Sequence, residues 1–218
     1  MTEKTRKHAA GDDIEGVQIS HATYAAIDIE LTGLDEERDS ITAIGAIKMS
    51  GGRIELGETF YRMIDSGGTL MPVIDLKRSL EAGYFLNPET AAILSEFISL
   101  CGGDIIVGHL IVTDLAILKN EAKRTLGTEV KNRAIDTYKL YHWLMRRDPS
   151  GRVHSSEEVK LYEVAAHFGI AAPEERNALN DAFVTAQVFQ RLMPLLAGEG
   201  VKTVGDLLRI GDPEKGLN

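Results

Sequence analysis

Apolar residues in this chain occur in short runs whose spacing changes from one segment to the next. Three runs near the start, "YAAIDIEL", "SITAIGAIKM" and "RIELGETFYRMI", are rich in Ile and other strand-favouring residues, so they predict strands. "SGG" separates the second from the third, which predicts an antiparallel hairpin. The stretch 65–89 has Gly and Pro punctuation without a clear period and reads as a loop with room for a short helix. "ETAAILSEFISL" has helical spacing, with Ala92, Leu94, Phe97 and Ile98 as the expected apolar stripe before a "CGGD" stop.

Strand and helix then alternate. "DIIVGH" predicts a short buried strand, "DLAILKNEAKRTLG" a helix closed by Gly127, "RAID" a strand and "TYKLYHWLMRR" a helix. The polar loop "DPSGRVHSSEE" precedes helices in "VKLYEVAAHFGI", "ALNDAFVTAQVFQRLMPLLAG" and "VKTVGDLLRIG". A hairpin-rich start followed by alternation implies a mixed sheet with helices packed on it. The chain divides into a polar, mobile tail over 1–20, one domain over 21–211 and a short tail over 212–218.

Length agrees with one domain: 218 residues, 44% of them hydrophobic, suffice for a full core. The formal net charge of -9 argues against a broad basic surface gripping a long duplex, so any nucleic-acid partner should be held locally. The one cysteine, Cys101, excludes an internal disulfide framework and reads as a small buried hydrophobe. No apolar run approaches a membrane span, and the polar start lacks a signal peptide's apolar region, so a soluble, cytoplasmic protein is expected.

One strand carries an anomaly. In "AAIDIELTGL", Asp28 and Glu30 stand two apart, so they share one face of an otherwise apolar strand. Like charges held that close repel, and a chain tolerates them most readily where a cation or a positive neighbour sits between them. Further acids follow: Asp114 just past the "IIVG" strand, in the first turn of a helix that Thr113 could cap, and Asp181 on a helix otherwise carrying Ala, Phe and Val. Alone, each has an ordinary explanation in the helix dipole or a solvated face.

Taken in order, the acids and their neighbours resemble the DEDD (DnaQ-like) superfamily of 3′ to 5′ exonucleases, which includes proofreading subunits of bacterial replicases, RNase T and oligoribonuclease. "DIELTGL" is similar to its first motif, D-x-E-x-T-G-L, through Asp28, Glu30, Thr32, Gly33 and Leu34. "VGHLIVTD" resembles the second, V-G-H-N-x-x-F-D, keeping Gly108, His109 and Asp114, with Leu110 for Asn and Thr113 for Phe. "RNALNDA" resembles the third, H-x-A-x-x-D-A, keeping Ala178, Asp181 and Ala182, and "AIDTYKL" falls where the family often has an I-D-T segment.

The resemblance implies an α/β fold of the ribonuclease-H-like type, a mixed five-stranded sheet flanked by helices. It implies Asp28, Glu30, Asp114 and Asp181 as catalytic acids that hold two divalent cations, Mg or Mn, for which oxygen donors are suited. Thr32, Gly33, Leu34 and His109 would meet the substrate, a single-stranded DNA or RNA 3′ end or a short oligonucleotide. The implied activity is a phosphodiester hydrolase releasing nucleoside monophosphates. The family's general-base histidine falls at Arg176 and the tyrosine of its sister subgroup at Asn177. Arginine stays protonated, so Arg176 predicts slow turnover, another base such as His154, or a binding or regulatory module that keeps the metal site. His167, near a helix end, and His142, beside Trp143, read as structural.

Overall fold

The computed structural model describes residues 14–33, 40–64, 88–147 and 158–216. Strands β1 (Thr23–Leu31), β2 (Ile41–Ser50), β3 (Arg53–Met63), β4 (Ile105–Gly108) and β5 (Ala134–Asp136) form one sheet in the order β3-β2-β1-β4-β5. β1–β2 and β2–β3 are antiparallel, and β1–β4 and β4–β5 are parallel, which makes the sheet mixed. The helices among the described residues are α1 (Pro88–Cys101), α2 (Val112–Leu126), α3 (Thr137–Met145), α4 (Leu161–His167), α5 (Ala178–Gly198) and α6 (Val204–Gly211). None of them is long and apolar enough to cross a membrane.

The near-continuous apolar run of β1 follows from its central place, since both of its faces are covered. Tyr24 and Ala26 pack on one side with Phe189, Leu192 and Leu196 of α5, while Ala25, Ile27 and Ile29 pack on the other with Leu94 and Phe97 of α1 and Leu118 of α2. The expected hairpin forms through Gly51 and Gly52, with Ser50 paired to Arg53. Helix α2 ends at Gly127, which takes the left-handed conformation and donates its N–H to Lys123 O.

Several expectations need correction. In α1 the inward stripe is Ile93, Leu94, Phe97 and Cys101, with Ala92 exposed and Ile98 half-buried, so the buried face is rotated from the one assigned. Thr113 caps nothing: α2 starts at Val112 and Thr113 lies inside it, because the chain turns into the helix earlier, at Leu110 and Ile111. Residues 14–20, read as tail on polarity, are packed. Ile19 is buried, donates its N–H to Lys202 O and accepts at its carbonyl from the Tyr24 hydroxyl, and Gln18 bridges Thr203. At the other end the Lys139 ammonium donates to the carbonyls of Asp212 and Pro213, each at 2.9 Å, and to that of Lys215. The loop expected at 65–89 lies outside the described residues up to 87, and so does most of the polar loop at 148–158.

Candidate functional site

The anomalous strand positions the first two acids. β1 runs on to Leu31, while its ladder to β4 ends at the Ala26–Val107 pair, so Asp28 and Glu30 lie past the end of β4. Ends of parallel strands are where open α/β sheets present functional groups. Asp28 is half-buried and Glu30 exposed. Across the β1–β2 ladder Asp28 faces Gly45. A Cβ on Gly45 would stand 2.1 Å from the backbone carbon of Ala178, so only glycine lets the first turn of α5 rest on β2. Asp181 follows one turn later on the same helix, which Asn177 caps by accepting from Asn180 N at 2.9 Å. The position of the sister subgroup's tyrosine is therefore a helix cap here.

Asp114 arrives from the other side. A Cβ on Gly108 would lie 2.0 Å from Ile111 Cδ1, so the bare glycine lets the chain fold back directly after β4. Leu110 has φ 55°, the one positive value at a non-glycine among the described residues. Helix α2 then begins, with Asp114 half-buried in its first turn.

The other three acids act on Asp28. Burial first, then the negative charges of Asp181, Asp114 and Glu30, push Asp28 from its ordinary 3.8 up to about 8, and Arg176 pulls in the opposite direction. Burial, followed by the charge of Asp136, pushes Asp114 up to about 7. Carboxylates raised in this way form an anionic cluster short of positive charge, and their hard oxygens suit Mg²⁺ or Mn²⁺. Among the described residues no three His, Cys, Asp or Glu side chains are gathered tightly enough to hold one ion. Asp181 is engaged by two neighbours. Its Oδ1 accepts from the Tyr162 hydroxyl, and its Oδ2 faces Arg176 Nη2 at 3.3 Å. The donor chemistry therefore fits divalent cations, while Asp181 has to leave its partners to join them.

Arg176 is two-thirds exposed, and its guanidinium lies over the Tyr162 ring, 4.1 Å from the centroid. Burial and then the hydrogen bond to Asp181 push the Tyr162 phenol up to about 12, so it remains a donor at neutral pH. No sequence signal marked Tyr162. Thr32 and Ser40 are tied by two hydrogen bonds: Thr32 N–H donates to Ser40 O at 3.0 Å, and Ser40 N–H to Thr32 Oγ1 at 3.1 Å. Gly33 is half-buried at the end of β1, and Leu34 and His154 lie outside the described residues.

His109 is turned toward the protein. Its Nδ1 lies 2.9 Å from Thr137 Oγ1 and its Nε2 2.9 Å from Val159 O. Burial lowers its pKa, which favours the neutral ring. The ring thus pins the start of the segment leading into α4 and Tyr162. His142 stacks on Tyr138 with centroids 5.9 Å apart, and His167 ends α4 against Tyr141, positions that need no chemistry.

Comparison with known proteins agrees with this geometry. Residues 25–189 match the RNase_T family model, described as exonuclease. The chain is 27% identical over 172 residues to the DNA polymerase III subunit epsilon of Aquifex aeolicus, covering 78% of this chain and 80% of that protein. It is 27% identical over 202 residues to the PolC-type DNA polymerase III of Thermotoga maritima, covering 88% of this chain and only 13% of the polymerase. E. coli exonuclease I, solved in complex with a dT13 oligonucleotide, superposes with a TM-score of 0.61 at 16% identity, over 83% of this chain and 43% of exonuclease I. The match spans β1 to α5 and every acid discussed above, and with it the chain belongs to the RNase_T exonuclease family, on a ribonuclease-H-like fold.

Proposed function

We propose that this protein is a 3′ to 5′ exonuclease that depends on two divalent cations, acts on short single-stranded nucleic-acid ends and releases nucleoside monophosphates. The observation that carries the reading is the crowding of Asp28 by the negative charges of Asp181, Asp114 and Glu30, which reach it from α5, α2 and its own strand and, after burial, push its pKa up. The oligonucleotide held by exonuclease I supports a single strand as substrate. Asp28, Glu30, Asp114 and Asp181 hold Mg²⁺ or Mn²⁺. When bound, such cations stabilise the charge that develops on attacking and leaving oxygens. Thr32 and Gly33, at the end of β1, and Leu34, next in sequence, receive the terminal nucleotide, and His109 keeps the neighbouring turn in place.

Arg176 stands at the general-base position and takes no proton, which makes turnover slow. A guanidinium is instead suited to grip a phosphate. Its contact with Asp181 Oδ2 favours a second reading, a nucleotide-binding or regulatory module that retains the metal site. An oligonucleotide labelled at its 5′ end, incubated with Mn²⁺, tests both. The first reading predicts a ladder shortening from the 3′ end with monophosphate products. Cleavage from the 5′ end contradicts it, and binding without any cleavage transfers the assignment to the second.

A further inference from the structure

The geometry points to Asp136 as a positioning residue that sets Asp114 in the site, an inference that rests on the metal-site reading above. Asp136 ends β5 and is 1% exposed. Its Oδ1 accepts from Tyr138 N at 2.9 Å and so caps α3, an ordinary local role. The same carboxylate also reaches the neighbouring strand's exit. Oδ1 accepts from Leu110 N at 3.0 Å and Oδ2 from Ile111 N at 3.3 Å. These are the two residues through which the chain turns from β4 into α2, and the N-cap of α2, Ile111, supplies no side-chain cap of its own.

Leu110 makes that support necessary. Its φ of 55° is a conformation that Gly or Asn adopts readily and a leucine side chain resists. Two hydrogen bonds donated by consecutive amides to a buried carboxylate hold the turn in it. Thr137, next in sequence, adds a third tie by donating from Oγ1 to Gly108 O at 3.0 Å. The turn fixes where α2 starts, and Asp114 is the third residue of that helix. A relaxed turn would shift or rotate the first turn of α2 and carry the Asp114 carboxylate away from Asp28.

Asp136→Asn separates this role from plain stability. Asparagine has one acceptor oxygen, so its amide nitrogen would confront one of the N–H groups now bonded. The expected result, in protein that is folded by circular dichroism, is Mn²⁺ affinity weakened by about 10- to 100-fold, the range typical when a residue that orients a metal ligand is lost. Oligonucleotide kcat should fall with KM changed less than about 2-fold, the pattern of a group needed for chemistry and not for substrate binding. Adding Leu110→Gly, which adopts the turn unaided, should restore most of both. If Asp136→Asn does not fold, Asp136→Glu, which displaces the carboxylate by one methylene, carries the same expectations. Wild-type Mn²⁺ affinity in the variant, or a loss that Leu110→Gly leaves untouched, overturns the inference. Wild-type protein that binds no Mn²⁺ overturns the metal-site reading itself, and this inference with it.

Discussion

Two carboxylate sites lie at opposite ends of the same pair of parallel strands, and they differ in how their charge is balanced. At the N-terminal end Asp104, just before β4, is 1% exposed; it pairs through Oδ2 with the Lys48 ammonium and accepts at Oδ1 from Thr23 Oγ1 at 2.5 Å. Lys48 also donates to Leu100 O at 2.8 Å, tying α1 to the sheet. At the C-terminal end Asp28 is crowded by the charges of Asp181, Asp114 and Glu30, with the exposed Arg176 acting in the opposite direction. A buried carboxylate that has its own cation serves the fold. One crowded by its like opposes the fold, and such sites concentrate where function requires them.

Mutations should split the two ends. The largest effect is expected from Asp28→Asn or Asp181→Asn: titration calorimetry should show Mn²⁺ affinity falling by more than the roughly 10- to 100-fold typical of outer-shell changes, with oligonucleotide cleavage lost. Arg176→His should act in the opposite direction, raising hydrolysis by up to about 10²-fold, the lower part of the range for a positioned general base, and bringing in a rate dependence near the pKa of histidine. A rate unchanged by that substitution would mean that another residue supplies the base.

At the other end Asp104→Ala should lower stability by about 3 kcal/mol in denaturant titration, because it strands the Lys48 ammonium. The low end of the usual range applies, since Lys48 is 19% exposed. Mn²⁺ affinity of the folded protein should not change. A joint loss of stability and affinity would erase the distinction between the two ends.

The smallest effect is a pH dependence of the metal-free protein. A folded pKa of about 8 for Asp28 exceeds its ordinary 3.8, so the folded state holds that proton more tightly. The resulting stability is complete below about pH 4 and is lost as pH rises through 8; Asp114, at about 7, adds in the same sense. Asp206 has the reverse sign: the Thr203 and Lys202 backbone N–H groups hold it down at about 2, so its contribution is present above its ordinary value and lost as pH falls toward 2. In chelator, Tm should therefore rise as pH falls from 9 to 5, and Asp28→Asn should flatten that rise.

Much of this was legible before any coordinates. The change of period along the chain separated strands from helices, and alternation put Asp28 and Glu30 on one face, because both signals depend on neighbours in sequence. What escaped depends on distant partners. Nothing around Tyr162 indicates that its hydroxyl meets Asp181 nineteen residues later. Gly45 reads as one more strand residue until α5 is laid upon it. Residues 14–20 looked like tail because their polarity hid Ile19 and the backbone pairing with 202–203. Asp136 carried a partial signal, an acid between strand and helix where a cap belongs, but its reach to Leu110 and Ile111 needs two parallel strands side by side.

The central claim is that the four acids make one cation site. Crystals soaked in Mn²⁺ with a nucleoside monophosphate, measured at the manganese absorption edge, test it most directly. The account predicts anomalous peaks among Asp28, Glu30, Asp114 and Asp181, two of them about 3.5–4 Å apart, with Asp181 turned away from Arg176 and Tyr162. Peaks located elsewhere, or none at saturating Mn²⁺ with Asp181 still bound to Tyr162, would contradict it.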